Sequence, residues 1–141
     1  MYGAYGINSD FQKRDVAIYA RVSTEHEAQL SALENQIDWY KPILATRPDW
    51  TLVKQYIDEG ITGTSAEKRP QFMKMIRDAK AHKFNMIITR EVSRFARNTV
   101  DTLQYTRMLK EFGVEVFFIN DNIKTFDGDG ELRLTIMATL A

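Results

Sequence analysis

Arg21 and Ser23 stand two residues apart in YARVST, where the apolar run VAIYA at 16–20 gives way to what reads as a loop. A strand that ends on a cation and then a hydroxyl is either an ordinary polar exit or the first part of an active site. Further along, Arg69 follows a glycine-bearing, hydroxyl-rich stretch in DEGITGTSAEKRP, and Arg90, Arg94 and Arg97 fall within REVSRFARN. An arginine fork matches two phosphate oxygens at once and keeps its charge at any working pH, so a cluster of forks suits phosphate better than carboxylate or carbonyl. A serine among them suggests nucleophilic attack on phosphorus. Fixed cations would then stabilise the charge that builds on the nonbridging oxygens, in place of a metal ion. Arg94 and Arg97 are three apart, the spacing of one helix face, which would aim both the same way and free Phe95 for the core. Ser23 also has a competing reading as a helix cap, because STEHEA places acids in the turn that follows the hydroxyl.

The elements that must position these residues follow from the hydrophobic pattern. Strand-like runs at 16–20, 51–57, 84–89 and 114–119 alternate with helical patterns near 27–41, 70–82, 99–112 and 130–141. Such an order predicts an α/β fold, a mainly parallel sheet with helices on both faces. Pro70 suits the first turn of the second helix, Asn98 or Thr99 can cap the third, and Gly113 sits where that helix should stop. Pro42 should end or kink the first helix near Lys41 and leave ILATRPDW as a connection. Leu132, Ile136 and Leu140 recur at helical spacing, which suits a last helix lying on its own sheet. Ligands of open α/β sheets bind beyond the carboxyl ends of the strands. Three successive strand exits carry Arg21 with Ser23, then Arg69, then Arg90, Arg94 and Arg97. Residues 1–14 show no periodicity and read as a flexible arm ahead of a single domain over 15–141.

Composition narrows the chemistry. A chain of 141 residues, 44% hydrophobic and 27% charged, is sized for one globular core. The absence of cysteine removes disulfides, thiol catalysis and thiolate metal sites, and the isolated histidines His26 and His82 make a histidine-rich metal site a poor fit. No phosphate-loop motif, no Gly-x-Ser-x-Gly elbow and no Ser/His/Asp order is present. Neither a membrane span nor a secretion signal is apparent, so a cytoplasmic protein is the expectation. Formal net charge is zero, yet nine Lys and Arg lie between Lys68 and Arg97 against two acids, Asp78 and Glu91. Segregated charge of this kind fits one surface that meets an anion, or two solvated helix faces of opposite sign.

Taken in order, YARVST, LENQ at 33–36, DEGITGTS followed by RP at 69–70, SRFARN at 93–98 and DGELRLTIMATLA resemble the serine site-specific recombinases, specifically the N-terminal catalytic domain of the large integrase and transposon group. The resemblance runs from about Val16 to Ala141. It implies a resolvase-like fold, and Ser23 attacking a DNA phosphodiester to leave a 5′-phosphoserine link and a free 3′-hydroxyl, with no metal or other cofactor. Arg21, Arg94 and Arg97 match the family's phosphate-binding arginines, Arg69 the arginine after the glycine-rich loop, and Gln36 the glutamine of the first helix; Arg90 and Ser93 are further candidates for phosphate contact. Implied partners are double-stranded DNA and, in the full-length parent, further copies forming a dimer or tetramer. The resemblance also implies a longer final helix and DNA-recognition domains beyond Ala141, so the 141-residue chain alone should be a monomer or weak dimer that binds DNA weakly. Two positions depart from the family pattern. Ser93 stands where small resolvases have an aspartate, which makes a carboxylate there dispensable, and Asn85 stands where an aspartate often opens the third strand. The other functions weighed are a catalytically idle module of the same fold used for protein or DNA assembly, and a phosphomonoesterase-like hydrolase.

Overall fold

The computed structural model describes residues 13–23, 30–60 and 69–140. Five strands form one sheet: β1 (Arg14–Ser23), β2 (Trp50–Gly60), β3 (Met86–Thr89), β4 (Glu115–Phe118) and β5 (Ile123–Lys124). Their order is β2-β1-β3-β4-β5, with the first four parallel and β5 antiparallel to β4. Helix α1 (Leu30–Ala45) covers one face, while α2 (Pro70–Lys80), α3 (Thr99–Glu111) and α4 (Gly128–Leu140) supply the other. The order reverses between β1 and β3, the crevice position at which open sheets of this kind bind ligands.

The core is divided by that sheet. Val16, Ile18, Met86 and Ile88 point toward α1 and meet Tyr40, Trp50 and the half-buried Ile37, Trp39, Ile43 and Leu44. Ala17, Tyr19 and Ile87 point the other way into a larger cluster with Phe72, Met75, Leu109, Val116 and Leu134. Unbroken burial along Val16 to Ala20 and Met86 to Thr89 is what a central strand covered on both faces requires. Between Val16 and Ala17 the register of β1 against β2 shifts by one, Val16 pairing with Leu52 but Ala17 with Lys54. Val53 is passed over, and the two halves of β2 therefore serve opposite faces: Trp50 and Leu52 pack on the α1 side, Tyr56 on the α2 side.

Local signals account for most element ends. Asn98 accepts a hydrogen bond from Asp101 N at 2.8 Å and starts α3. At its other end Gly113, at φ +80°, lets Val114 N reach Leu109 O at 2.8 Å and Gly113 N reach Lys110 O at 3.0 Å, the pair of bonds that closes a helix through a left-handed residue. Pro70 opens α2 as expected, but its cap comes from elsewhere in the chain: Asp58 on β2 accepts from Gln71 N and Phe72 N, both at 2.9 Å.

Three expectations change. Helix α1 runs through Pro42 to Ala45 instead of stopping near Lys41. A buried Ile or Leu contributes roughly 1.5–3 kcal/mol, so half-burying both Ile43 and Leu44 offsets the ~3 kcal/mol proline penalty. Strand β1 continues through Arg21 to Ser23, because β2 is long enough to pair with it as far as Gly60. In α4 the stripe Leu132, Ile136 and Leu140 is exposed at 58%, 49% and 81%, whereas Leu134 is fully buried. Gly130 sets that rotation: a Cβ there would lie 2.1 Å from Lys124 O, so the helix is seated on β5 by its glycine, with Leu134, Met137 and Ala138 following on the inner side. Of the expected arm, residues 1–12 lie outside the described residues, and Arg14 already belongs to β1.

Candidate catalytic site at the carboxyl edge of the sheet

All four parallel strands end on one edge, and the cations gather there unequally. Arg21 sits opposite Asp58, and Ser23, two residues on and so in the same phase of the strand, closes β1 opposite Gly60. The backbones of Ser23 and Gln36, on β1 and α1, are placed; their side chains lie outside the described part of the molecule. Residues 24–29, on which the helix-cap reading of Ser23 rests, and His26 with them, also lie outside it.

Beneath Arg21 the next residue inward on the same face is Tyr19, fully buried, whose hydroxyl donates to Asp58 Oδ2 at 2.9 Å. Asp58 thus ties β1, β2 and the start of α2 together with one carboxylate, and its three donors explain how it is tolerated at 4% exposure. Arg69, also buried, reaches across from the start of α2: Nη1 donates to Phe95 O at 2.6 Å and Nη2 to Ala96 O at 3.5 Å. Its fork therefore grips the backbone of the segment that carries the remaining arginines.

That segment is not one helix. Val92–Arg94 form a single 3₁₀ turn, whose first N–H is held by Asp121 at 2.8 Å, and α3 begins only at Thr99. Asn98, extended at φ −154°, breaks the two apart in order to cap α3. Phe95 enters the core as expected, at 0% exposure and edge-on to Tyr19, Phe72 and Phe118. The two arginines nevertheless diverge. Arg97 Nε donates to Asp101 Oδ2 at 3.1 Å, while Arg94 lies 3.9 Å from Glu91 through its Nε. Arg90 turns toward α1 and stacks on Trp39, its Cζ 4.8 Å from the ring centre. Ser93 Oγ donates to Glu91 Oε2 at 3.2 Å, so a carboxylate is present in this motif after all, supplied two residues upstream.

Arg69 and Arg94 lie close enough to Arg21 for their charges to act on it, and Arg90 and Arg94 both face Glu91 Oε1, at 4.0 and 3.9 Å. Partial burial first, then the positive charges of Arg69 and Arg94, hold the Arg21 guanidinium below its ordinary range. Burial is the larger cause, and the neighbouring positive charges add to it. Among the described residues, the buried Nε atoms of Arg21 and Arg90 have no hydrogen-bond partner. Both buried phenols nearby stay protonated at working pH: burial drives Tyr19 upward, with Asp58 adding to the rise, and pushes Tyr40 up to about 12. Neither can serve as a phenolate base there.

The opposite edge is built for another purpose. Asn85 accepts from Asp15 N at 3.0 Å and its backbone pairs with both neighbouring strands, so an aspartate at this position would lie at the far end of β3 from the arginines. A cavity of about 650 Å³ opens on this edge, lined by Arg14, Arg47, Asn85, Glu115 and Lys124 among others. The basic run of the sequence is split by the same geometry: Arg69, Arg90 and Arg94 lie at the carboxyl edge, whereas α2 carries Lys80 down to the other, where Lys83 pairs with Asp78 at 3.4 Å. Asp58, Glu91, Tyr19 and Trp39 are the site neighbours that sequence reasoning did not single out. Asp58 and Glu91 were visible as acids placed among strand-exit arginines; Tyr19 and Trp39 carried no signal beyond their apolar setting.

A parallel sheet with a switch point, several arginines gathered at its carboxyl edge and a serine ending the central strand describe an open α/β domain. Comparison with known proteins gives the family. The model of the resolvase N-terminal domain matches residues 16–141, and the chain belongs to that family. The N-terminal catalytic domain of TP901-1 integrase superposes with a TM-score of 0.74 at 29% identity, over 89% of this chain and 93% of that one. A resolvase family site-specific recombinase from Streptococcus pneumoniae gives 0.73 at 31% identity, over 91% and 87%. A resolvase/recombinase of Pseudomonas putida is 25% identical over 126 residues, which span 87% of this chain but 61% of that protein. Among the described residues no helix is long and apolar enough to cross a membrane.

Proposed function

We propose that this chain is the catalytic domain of a site-specific DNA recombinase that cleaves and rejoins strands through a 5′-phosphoserine intermediate, acting in the cytoplasm without a metal or other cofactor. The observation that carries the reading is Arg21: a half-buried cation with an unpartnered buried Nε, crowded by Arg69 and Arg94, two residues before a serine on the same strand. An entering phosphodiester relieves that crowding. Ser23 Oγ forms the new bond to phosphorus, the bond to the 3′-oxygen breaks, the serine gives up its proton and the departing 3′-oxygen gains one. Attack by a 3′-hydroxyl on the phosphoserine reverses each change.

The arginines then have different tasks. Arg21 and Arg94 present their forks to the phosphate, and Arg97 joins them when it leaves Asp101. Arg69 acts from behind by fixing the 95–96 backbone, Gln36 belongs with the catalytic set by its place in the family motif, and Arg90 and Ser93 contact DNA phosphates at the rim. The exposed stripe of Leu132, Ile136 and Leu140 on α4 supports assembly with further copies on double-stranded DNA, as a dimer or tetramer of the full-length protein. Incubated with nicked duplex DNA bearing its recombination site, in the presence of chelator, the full-length protein should form a denaturant-stable adduct. Ser23→Ala should abolish the adduct without lowering the melting temperature; an undiminished adduct in that variant overturns the assignment.

A further inference from the structure

We propose that Glu91 is a positioning residue for this chemistry: its carboxylate, held by neutral donors, keeps the Arg94 fork in place by charge while leaving the fork's own N–H groups for phosphate. The inference rests on the recombinase reading and assigns a role to a residue which that reading does not use. Four polar groups converge on the carboxylate. Ser93 Oγ donates to Oε2 at 3.2 Å and Asn120 Nδ2 to Oε1 at 3.4 Å, whereas the Nε atoms of Arg94 and Arg90 lie 3.9 and 4.0 Å from Oε1. The first pair are hydrogen bonds; the second pair are too long to be, and act only through charge.

The consequence is visible at Arg94. Among the described residues its guanidinium makes no hydrogen bond, and its side chain is 38% exposed. An arginine with free donors on an irregular segment would sample many rotamers, since its fork is useful only when its direction is fixed. Glu91 is well placed to limit that freedom because its own backbone is fixed. Its carbonyl accepts from Arg94 N at 3.1 Å, and the next residue, Val92, is tied to Asp121 at 2.8 Å. A hydrogen-bonded salt bridge would have satisfied the fork and competed with substrate; the longer ion pair seen here restrains it and leaves it available.

A charge that orients a phosphate-binding arginine must also repel the phosphate, so its removal should improve binding and impair chemistry together. A purely structural residue would not divide the two. Glu91→Gln retains an oxygen for the Ser93 hydroxyl and loses the charge. In the full-length protein we expect adduct formation on nicked site DNA to slow about tenfold, roughly 1.4 kcal/mol of transition-state stabilisation, while affinity for the same DNA holds or rises two- to threefold. In the 141-residue chain labelled on arginine nitrogen, exchange of the Arg94 Nε–H with water should quicken several-fold in Glu91→Gln, and inorganic phosphate should bind at least as tightly as to the parent chain. Unchanged exchange at Arg94, or binding and cleavage falling in parallel, overturns the proposal. Should the parent protein form no adduct, the recombinase reading fails, and the exchange measurement still decides whether Glu91 restrains Arg94.

Discussion

The donors of Arg94 are unengaged among the described residues, and those of Arg69 are bound to two backbone carbonyls, so the same residue type performs two different tasks in one site. This bears on what lysine can replace. At position 94 a lysine keeps the charge beside Glu91 but replaces a planar fork by a single rotatable point. Transition-state oxygens on phosphorus need oriented donors, and each is worth more than bulk attraction because it acts at one place. Arg94→Lys should therefore leave DNA affinity nearly unchanged and lower the rate of adduct formation at least about tenfold, about 1.4 kcal/mol. Single-turnover cleavage at saturating protein measures it, and cleavage at the parental rate would show that charge alone suffices. At this scale the sequence disclosed the cast but not the pairing. Arg97's engagement by Asp101 and Arg90's stacking on Trp39 depend on where α3 and α1 sit, which no local pattern specifies.

Elements were legible where a local signal decides them. The runs of β1, β3 and β4, the proline at the start of α2, the asparagine cap of α3 and the glycine after it all act through neighbouring backbone, and all fall where the sequence places them. Elements decided by partners were not. Strand β5 is two residues long and exists because β4 offers it an edge, and α1 passes Pro42 because a core cluster lies beneath its last turn. Helix α2 shows the two kinds of control together, and it permits a test. Its Asp78 accepts from Tyr56 Oη at 2.6 Å and pairs with Lys83, and the Tyr56 hydroxyl first, then Lys83, hold its carboxyl below the usual value of 3.8. A folded-state pKa below the unfolded one contributes stability that is present above about pH 4 and is lost as pH falls through the folded value. Asp78→Asn should cost about 1–2 kcal/mol at pH 7. Urea unfolding at pH 7 and near pH 3 should show the gap narrowing in acid, and a gap of constant size would mean that shape, not charge, holds the pair.

Across the whole molecule, a net charge of zero conceals a division between two edges of one sheet. The carboxyl edge carries Arg21, Arg69, Arg90 and Arg94 around a strand-ending serine; at the other, Arg14 pairs with Glu115 at 2.8 Å and Arg47 with Asp49 at 3.4 Å. An anion meeting the carboxyl edge finds several arginines gathered around the end of β1, with the half-buried Arg21 crowded by two of them. If the proposed function holds, a chain that can neutralise few phosphates should bind DNA modestly and with strong salt dependence, which a gel-shift titration across salt concentrations measures. The sequence shows the concentration of basic residues but not its division, because α2 runs from one edge to the other and takes Lys74, Arg77 and Lys80 with it.

The passed-over Val53 gives this molecule slack in its chain length. Strand β2 holds one residue more than its pairing with β1 consumes, and the surplus is stored between two stretches already in step with β1: Trp50 to Leu52 with Arg14 to Val16, and Lys54 to Gly60 with Ala17 to Ser23. Taking Val53 out should let the stretches join with every partner kept, including Tyr56 beside Tyr19 and Asp58 beside Arg21, and the loss is small for a side chain already 39% exposed. Strand β3 has no such reserve. Its four residues are all buried between two neighbours, so a missing residue turns the remainder to the wrong layers and drags Arg90 back from the edge. Deletion of Val53 should leave a folded domain melting within a few degrees of the parent, a change of ~1 kcal/mol or less, and deletion of Ile88 should leave no cooperative transition. Thermal denaturation of the two single-residue deletions reads the difference directly, and it locates where natural variation in length can enter this domain without moving its arginines.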